Sequence, residues 1–160
     1  MPKRTELDEL EMELIRRLYP ALRRIAAVAG AVDVEPDDLV QEALVRTLGN
    51  RALTELDNPV AYLRRAIVNL ASNQRRRAGR HRRALQRIHV EEGHVPSYPA
   101  DVEAILDLPP RQRAILYLVE VEGVPYAEAA DQLGVSTVMA RQLASRARKK
   151  ARIAWEAANG

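Results

Sequence analysis

Leu108-Pro109-Pro110-Arg111-Gln112-Arg113 opens the stretch, residues 108–152, whose reading decides the fold of this chain. An apolar run follows, then Glu122-Gly123, the segment 126–133, the turn Gly134-Val135-Ser136 and a last segment ending in Ser145-Arg146-Ala147-Arg148-Lys149-Lys150. Proline fits the first turn of a helix, where its missing N–H is no loss, so Pro109-Pro110 and Pro125 mark two helix starts. The first helix presents Ala114, Ile115, Leu118 and Val119 on one face and stops at Gly123; the second buries Ala129, Ala130 and Leu133. Gly134 has no Cβ and enters the left-handed conformation that closes a helix without steric cost. Ser136 supplies a capping hydroxyl for a third helix. There Ala140, Ala144, Ala147 and Ala151 recur by four, three and four, a stripe of small side chains that permits close packing. Two short helices meeting at a glycine turn, the second ending in cations, make the layout of a helix-turn-helix that docks on DNA.

The chain upstream also reads as helices. Leu7, Leu10, Leu14, Leu18, Leu22, Ile25 and Val28 form one apolar stripe, interrupted by Pro20, which either kinks the helix or opens a second one. Pro36 starts another, with Asp37 and Asp38 in the first turn, where the helix dipole favours anions. Leu39, Val40, Ala43, Leu44 and Leu48 are its buried face, and Gly49-Asn50 ends it. Residues 50–57 read as a loop. Asn58-Pro59 pairs an N-cap with proline at the first helical position. The helix that follows buries Tyr62, Leu63, Ala66, Ile67 and Leu70, then runs into Arg75-Arg76-Arg77-Ala78-Gly79-Arg80. Gly93, Pro96, Ser97 and Pro99 mark residues 91–100 as a linker. The expected fold is all-α: two small helical domains, residues 1–90 and 101–160, joined by a flexible linker, the second a helix-turn-helix.

Composition narrows the chemistry. Of 160 residues 47% are hydrophobic but only 4% aromatic, with no Phe, so the cores are built from Leu, Ile, Val and Ala. The chain has no Cys, which excludes disulfides, thiol catalysis and Cys-ligated zinc. No apolar run approaches the ~20 residues that cross a bilayer, and no apolar signal core follows the N-terminus; the expectation is a cytoplasmic protein with no membrane insertion. His81, His89 and His94 lack metal-ligand spacing and read as solvated. Asp37-Asp38 reads as helix-terminal charge rather than an acid/base dyad, and no Gly-rich phosphate loop is present. Neither an enzyme site nor a cofactor or metal is expected.

Charge is distributed unevenly. Residues 75–87 hold seven Arg and no acid, and residues 141–152 hold six Arg or Lys and no acid, leaving 12 cations against 22 acids elsewhere. Two basic patches on an otherwise acidic chain are the footprint of polyanion contact. In the last helix Ser136, Thr137, Arg141, Gln142, Ser145 and Arg146 are the candidates for the DNA face. Arg141 and Gln142 carry groups for bidentate contact with guanine and adenine. Arg148, Lys149, Lys150 and Arg152 come later, where phosphate contact is expected.

These residues together resemble the extracytoplasmic-function sigma factors. Leu108-Pro109-Pro110-Arg111-Gln112-Arg113, Glu122-Gly123, Tyr126-Ala127-Glu128-Ala129-Ala130, Leu133-Gly134-Val135-Ser136 and Ser145-Arg146-Ala147-Arg148 are similar to that family's C-terminal region 4. Asp38-Leu39-Val40-Gln41-Glu42, Asn58-Pro59, Tyr62-Leu63 and Asn69-Leu70-Ala71 leading into Arg75-Arg76-Arg77 resemble its region 2. The resemblance implies a transcription initiation factor. Asp38, Gln41, Glu42 and Arg46 would meet the β′ clamp helices of core RNA polymerase. Residues 50–57 would capture a flipped −10 base, and Asn69, Asn73, Arg76, Arg77 and Arg80 would contact the opened −10 strand. The second domain would read the −35 element through Ser136, Thr137, Arg141, Gln142, Ser145, Arg146, Arg148 and Lys149, and would dock on the β flap. An anti-sigma factor is a further candidate partner.

The sequence departs from the family pattern at Tyr62, where Trp is usual, and in the loop 50–57, which has no aromatic. It departs again at Val138, Met139 and Leu143, which add apolar surface near the expected DNA face. Two other readings stand beside this one: a helix-turn-helix regulator that works without polymerase, and a sigma-like module that binds protein. The first has no need of the 38–42 face or the arginines after Arg75. The second would use Val138, Met139 and Leu143.

Overall fold

The structure, a computed structural model, describes residues 4–88 and 100–160. Among them lie seven α-helices and no strand: α1 (Arg4–Ala29), α2 (Pro36–Leu48), α3 (Pro59–Ile88), α4 (Ala100–Leu106), α5 (Pro110–Leu116), α6 (Tyr126–Leu133) and α7 (Thr137–Asn159). The expected linker falls outside the described residues except for Ala100, which opens α4, and so do His89 and His94.

In the first half α1, α2 and α3 pack on one another around Leu22, Ile25, Leu39, Val40, Leu63 and Ile67, all fully buried. Pro20 neither ends α1 nor opens a second helix; α1 runs through it. A proline inside a helix costs about 3 kcal/mol, and the burial of Leu22 and Ile25 directly after it offsets that loss, since each fully buried side chain contributes roughly 1.5–3 kcal/mol. The loop 50–57 contains a 3₁₀ turn, Leu53–Glu55. Leu53 is fully buried, and its N–H donates to the Glu11 carboxylate at 2.6 Å, which ties the loop to α1. Asn58 caps α3 as expected, its Oδ1 accepting from Ala61 N at 3.1 Å.

Two apolar residues expected in this core lie outside it. Tyr62 is 38% exposed, with the Arg51 guanidinium 5.5 Å from its ring centre, close enough for a cation–π contact. Leu48 is 40% exposed, and Thr47 is buried in its place, its hydroxyl donating back to Ala43 O at 2.7 Å.

In the second half the alanine stripe does what its spacing predicts. Ala140, Ala144 and Ala147 are fully buried, and α7 packs against α4, α5 and α6. Between α5 and α6 the chain widens into a π-helical segment, Tyr117–Val121, in which Glu122 N donates to Tyr117 O at 3.0 Å.

The halves do not sit apart. One hydrophobic cluster continues from α1, α2 and α3 into α5, α6 and α7. Arg64, almost fully buried on α3, donates to Gln132 Oε1 at 2.7 Å and to Glu122 Oε1 at 2.9 Å. Arg113 of α5 donates to Ala29 O, the last carbonyl of α1, at 3.0 Å, a favourable place for a cation on the helix dipole. Burial first, and then the charge of Arg75, hold the Arg113 guanidinium below its usual value. Arg75, expected to face a polyanion, donates to the carbonyls of Asp107 and Leu108 at 2.6 and 2.7 Å. Arg64→Ala strips Glu122 and Gln132 of their shared donor. Removing one member of a buried pair costs about 3 kcal/mol, and urea denaturation of the variant should show a loss of that size; a loss below about 1 kcal/mol would mean that the pair does not hold the halves.

Candidate nucleic-acid interface

The helix-turn-helix comprises α6, the turn and α7. Gly134 closes α6 with φ +66° and ψ +38°, the left-handed cap, and Ser136 Oγ accepts from Met139 N at 3.1 Å, the N-cap of α7. These two devices fix where α7 begins, and burial of Ala140, Ala144 and Ala147 sets which face turns outward. Opposite the alanine stripe lie Arg141, Gln142, Ser145, Arg146 and Lys149, all exposed, with Thr137 half-buried and Ser136 exposed at the cap. Val138 and Met139 share this surface at 65% and 41% exposure, and Leu143 is half-buried.

Two of these cations are held by groups that the sequence did not single out. The Arg141 guanidinium stacks 4.8 Å from the centre of the Tyr126 ring. Arg148 Nε donates to Glu120 Oε1 at 2.9 Å, its Nη2 bonds the same oxygen, and Nη2 also donates to Tyr126 Oη at 2.9 Å. The hydrogen bond to Glu120, and next that to Tyr126, hold the Arg148 guanidinium above its usual value. Tyr126 therefore orients the start of the outer face, and Glu120 offsets one positive charge later along it. Tyr126 was visible only as part of a motif, and Glu120 only as one polar residue in an apolar run.

On α3 the candidates Asn73, Arg76, Arg77 and Arg80 are exposed and Asn69 is half-buried. Arg76 donates to Asn73 Oδ1 at 2.7 Å, and Arg111 of α5 reaches across to Asn69 Oδ1 at 3.1 Å. Arg65 of α3 lies over Gly134 in the turn, so close that a Cβ on that glycine would fall 2.1 Å from its Nε. In this arrangement Arg65 of the first half lies beside the exposed turn, and Arg111 of the second half occupies part of the α3 face.

The outer face of α2 is separate. Asp38, Gln41 and Arg46 are exposed and Glu42 half-buried, with Arg46 donating to Glu42 at 2.5 Å. The neighbouring Asp37 is committed to the fold: it accepts from Tyr19 Oη at 2.8 Å and pairs with Arg23 Nε at 3.2 Å. Its hydrogen bond is the first cause that pushes the Tyr19 hydroxyl up. Among the described residues no group of three or more His, Cys, Asp or Glu gathers in a metal-binding arrangement, and no helix is long and apolar enough to cross a membrane.

Comparison with known proteins matches two family models to the chain: sigma-70 region 2 over residues 14–81 and sigma-70 region 4 over residues 102–150. The ECF RNA polymerase sigma factor SigM of Mycobacterium tuberculosis is 29% identical over 143 residues, covering 86% of this chain and 73% of SigM. SigE of Mycolicibacterium smegmatis is 30% identical over 88% of the chain and 59% of SigE. SigJ of M. tuberculosis is 32% identical over 90% of the chain but 49% of SigJ. Among solved structures, the sigma factor RpoE of Bartonella quintana, crystallised with the anti-sigma factor NepR, shares the fold with a TM-score of 0.66 at 22% identity, over 91% of this chain and 96% of RpoE.

The local geometry of the turn yields a prediction. Gly134→Ala forces an L side chain into the left-handed region and against Arg65, at an expected cost of about 1–3 kcal/mol, while Ser136→Ala removes only the cap, about 1 kcal/mol. Thermal denaturation should rank them in that order; an Ala at 134 without effect would contradict the turn geometry.

Proposed function

This chain belongs to the sigma-70 family, in its extracytoplasmic-function branch, and from that premise we propose how its residues carry out transcription initiation. The protein binds core RNA polymerase and directs it to promoter DNA. The exposed α2 face formed by Asp38, Gln41, Glu42 and Arg46 meets the β′ clamp helices. It suits that role because the fold leaves it unspent, whereas the adjacent Asp37 is tied to Tyr19 and Arg23. Residues 50–57 receive a flipped −10 base. Asn69, Asn73, Arg76, Arg77 and Arg80 follow the opened strand, cations on phosphates and amides on an unstacked base. Ser136, Thr137, Arg141, Gln142, Ser145 and Arg146 face the −35 element, with Arg148 and Lys149 on phosphates and the second half docked on the β flap. Val138 and Met139 suit thymine methyl groups. Capture of the base and strand offsets the few kcal/mol of lost stacking; the chain itself catalyses no bond chemistry, and it works in the cytoplasm, at the nucleoid.

The observation that carries this reading is that two dissimilar nucleic-acid faces, on α3 and α7, lie on one chain with an unspent third face on α2. Such a set fits an asymmetric bipartite site rather than a palindrome. Elements at −10 and −35 lie roughly 25 base pairs apart, about 85 Å of duplex. In the folded arrangement Arg64 bridges the two halves and holds the two reading faces within one small body. The halves must therefore part before both elements are read, and the closed form is the resting state. RpoE of B. quintana was crystallised with an anti-sigma factor; a partner of that class would act on this chain by holding the closed form.

Run-off transcription with core polymerase and a promoter library tests the reading. The chain should bind core and direct initiation from asymmetric two-part sites; failure of both would overturn it. Arg141→Ala should change −35 preference, whereas Lys149→Ala should weaken all sites evenly and lower the salt slope by about one. Equal, sequence-blind effects from the two would remove Arg141 from base readout.

A further inference from the structure

The arginine run after Arg75 is longer than the −10 candidates require, and the structure shows where the excess points. The basic half of α3 lies beside the start of α5, and between them opens a cleft of about 970 Å³. Arg75, Arg76, Arg80, Arg82 and Arg83 line one side, and Arg111 lines the other. Among the described residues no carboxylate lines the cleft, and none of these six guanidiniums forms an ion pair. Arg76 and Arg111 bond only the amide oxygens of Asn73 and Asn69, and Arg75 bonds backbone carbonyls. So many like charges around one open cleft make a strong positive potential, with no carboxylate among the described residues to meet it there.

Gly79 sits among them. A glycine inside a helix costs about 1 kcal/mol relative to alanine, yet a Cβ here would meet nothing within 4 Å, so no neighbour demands the glycine. The missing side chain leaves the cleft floor open between Arg76 and Arg83. Those two residues stand about 10 Å apart along the helix, a span for linked phosphates rather than for one. Guanidinium pairs with phosphate oxygens through two parallel N–H donors, and the cleft volume is that of a small-molecule site.

We propose that this cleft binds an oligophosphate chain, free or carried by a nucleotide. Its walls come from both halves of the molecule, α3 and α5, so the ligand binds the closed arrangement and stabilises it by mass action. Arg76 and Arg80 are also −10 candidates, so a bound oligophosphate keeps the opened strand off α3. The site goes beyond the promoter reading and stands independently of it, because binding requires neither polymerase nor DNA.

Isothermal titration of the full chain at fixed ionic strength, with inorganic tripolyphosphate and separately with guanosine 5′-triphosphate, tests the proposal. Saturable binding of one molecule per chain is expected. Arg80→Ala/Arg83→Ala removes two guanidiniums with no hydrogen bond or ion pair among the described residues and should weaken binding at least about tenfold. Arg17→Ala, which removes an exposed cation outside the cleft, should leave it unchanged. Gly79→Leu, which fills the floor at constant net charge in a residue that favours helix, should weaken binding as well. Tighter binding of the nucleotide than of tripolyphosphate assigns the source as a nucleotide, and equal binding assigns the phosphate chain alone; either supports the site. Non-saturable binding, equal losses from Arg17→Ala and the double variant, or unaltered binding by Gly79→Leu would overturn it.

Discussion

One guanidinium sets the relation between the two halves of this molecule. Arg64 is buried on α3, and a charge taken out of water must be paired. Its partners are Glu122, at the end of the π-helical segment, and Gln132 on α6. Meeting both fixes how α6 lies on α3, and the other contacts between the halves form in that same register: Arg65 beside Gly134, Arg75 on the carbonyls before α5, Arg113 on the end of α1. The pairing is incomplete. Among the described residues Arg64 Nε, Arg113 Nε and Gln112 Oε1 are buried and meet no protein hydrogen-bond partner. Such orphans cost about 1–3 kcal/mol each and are repaid by water when the halves separate. The junction is specific enough to define one closed form and unsatisfied enough to be left.

That balance suits a promoter reader. A closed body keeps the α3 and α7 faces from acting independently, and the proposed reading of two elements about 85 Å apart demands that they do. The proposed opening takes Arg65 away from Gly134 and frees Asn69 from Arg111. The α2 face proposed to meet polymerase and Arg141, proposed to begin −35 recognition, are both exposed in the closed form. Polymerase can therefore engage the closed form before DNA does, and its binding energy is available to separate the halves.

Much of the fold was legible because it was punctuated. Pro36, Asn58-Pro59, Pro110 and Pro125, with Gly134 and Ser136, mark helix starts and stops through backbone constraints that act locally. The alanine stripe was legible by its period. The family was legible because two motifs stood in order, and the positions of the candidate faces on α2, α3 and α7 followed from helical spacing. What escaped was long-range. Arg64 is one of two adjacent arginines in an apolar run, and nothing near it shows that its partners lie 58 and 68 residues away. Arg75 looked like its neighbours in the basic run, yet only it caps the turn before α5. Tyr62 and Leu48 have the right period but sit at the margins of their stripes, where periodicity does not fix depth. The π-helical segment depends on one extra residue per turn and has no composition of its own.

The claim on which the rest turns is that the closed form is a resting state that opens on the polymerase. The chain has no native Cys, so dyes can be placed on Thr54→Cys and Glu128→Cys, exposed positions in the first and second halves. Energy transfer between them should be high in the free protein and should fall when core polymerase and promoter DNA are added. Transfer that stays unchanged in a complex competent for initiation would contradict the claim.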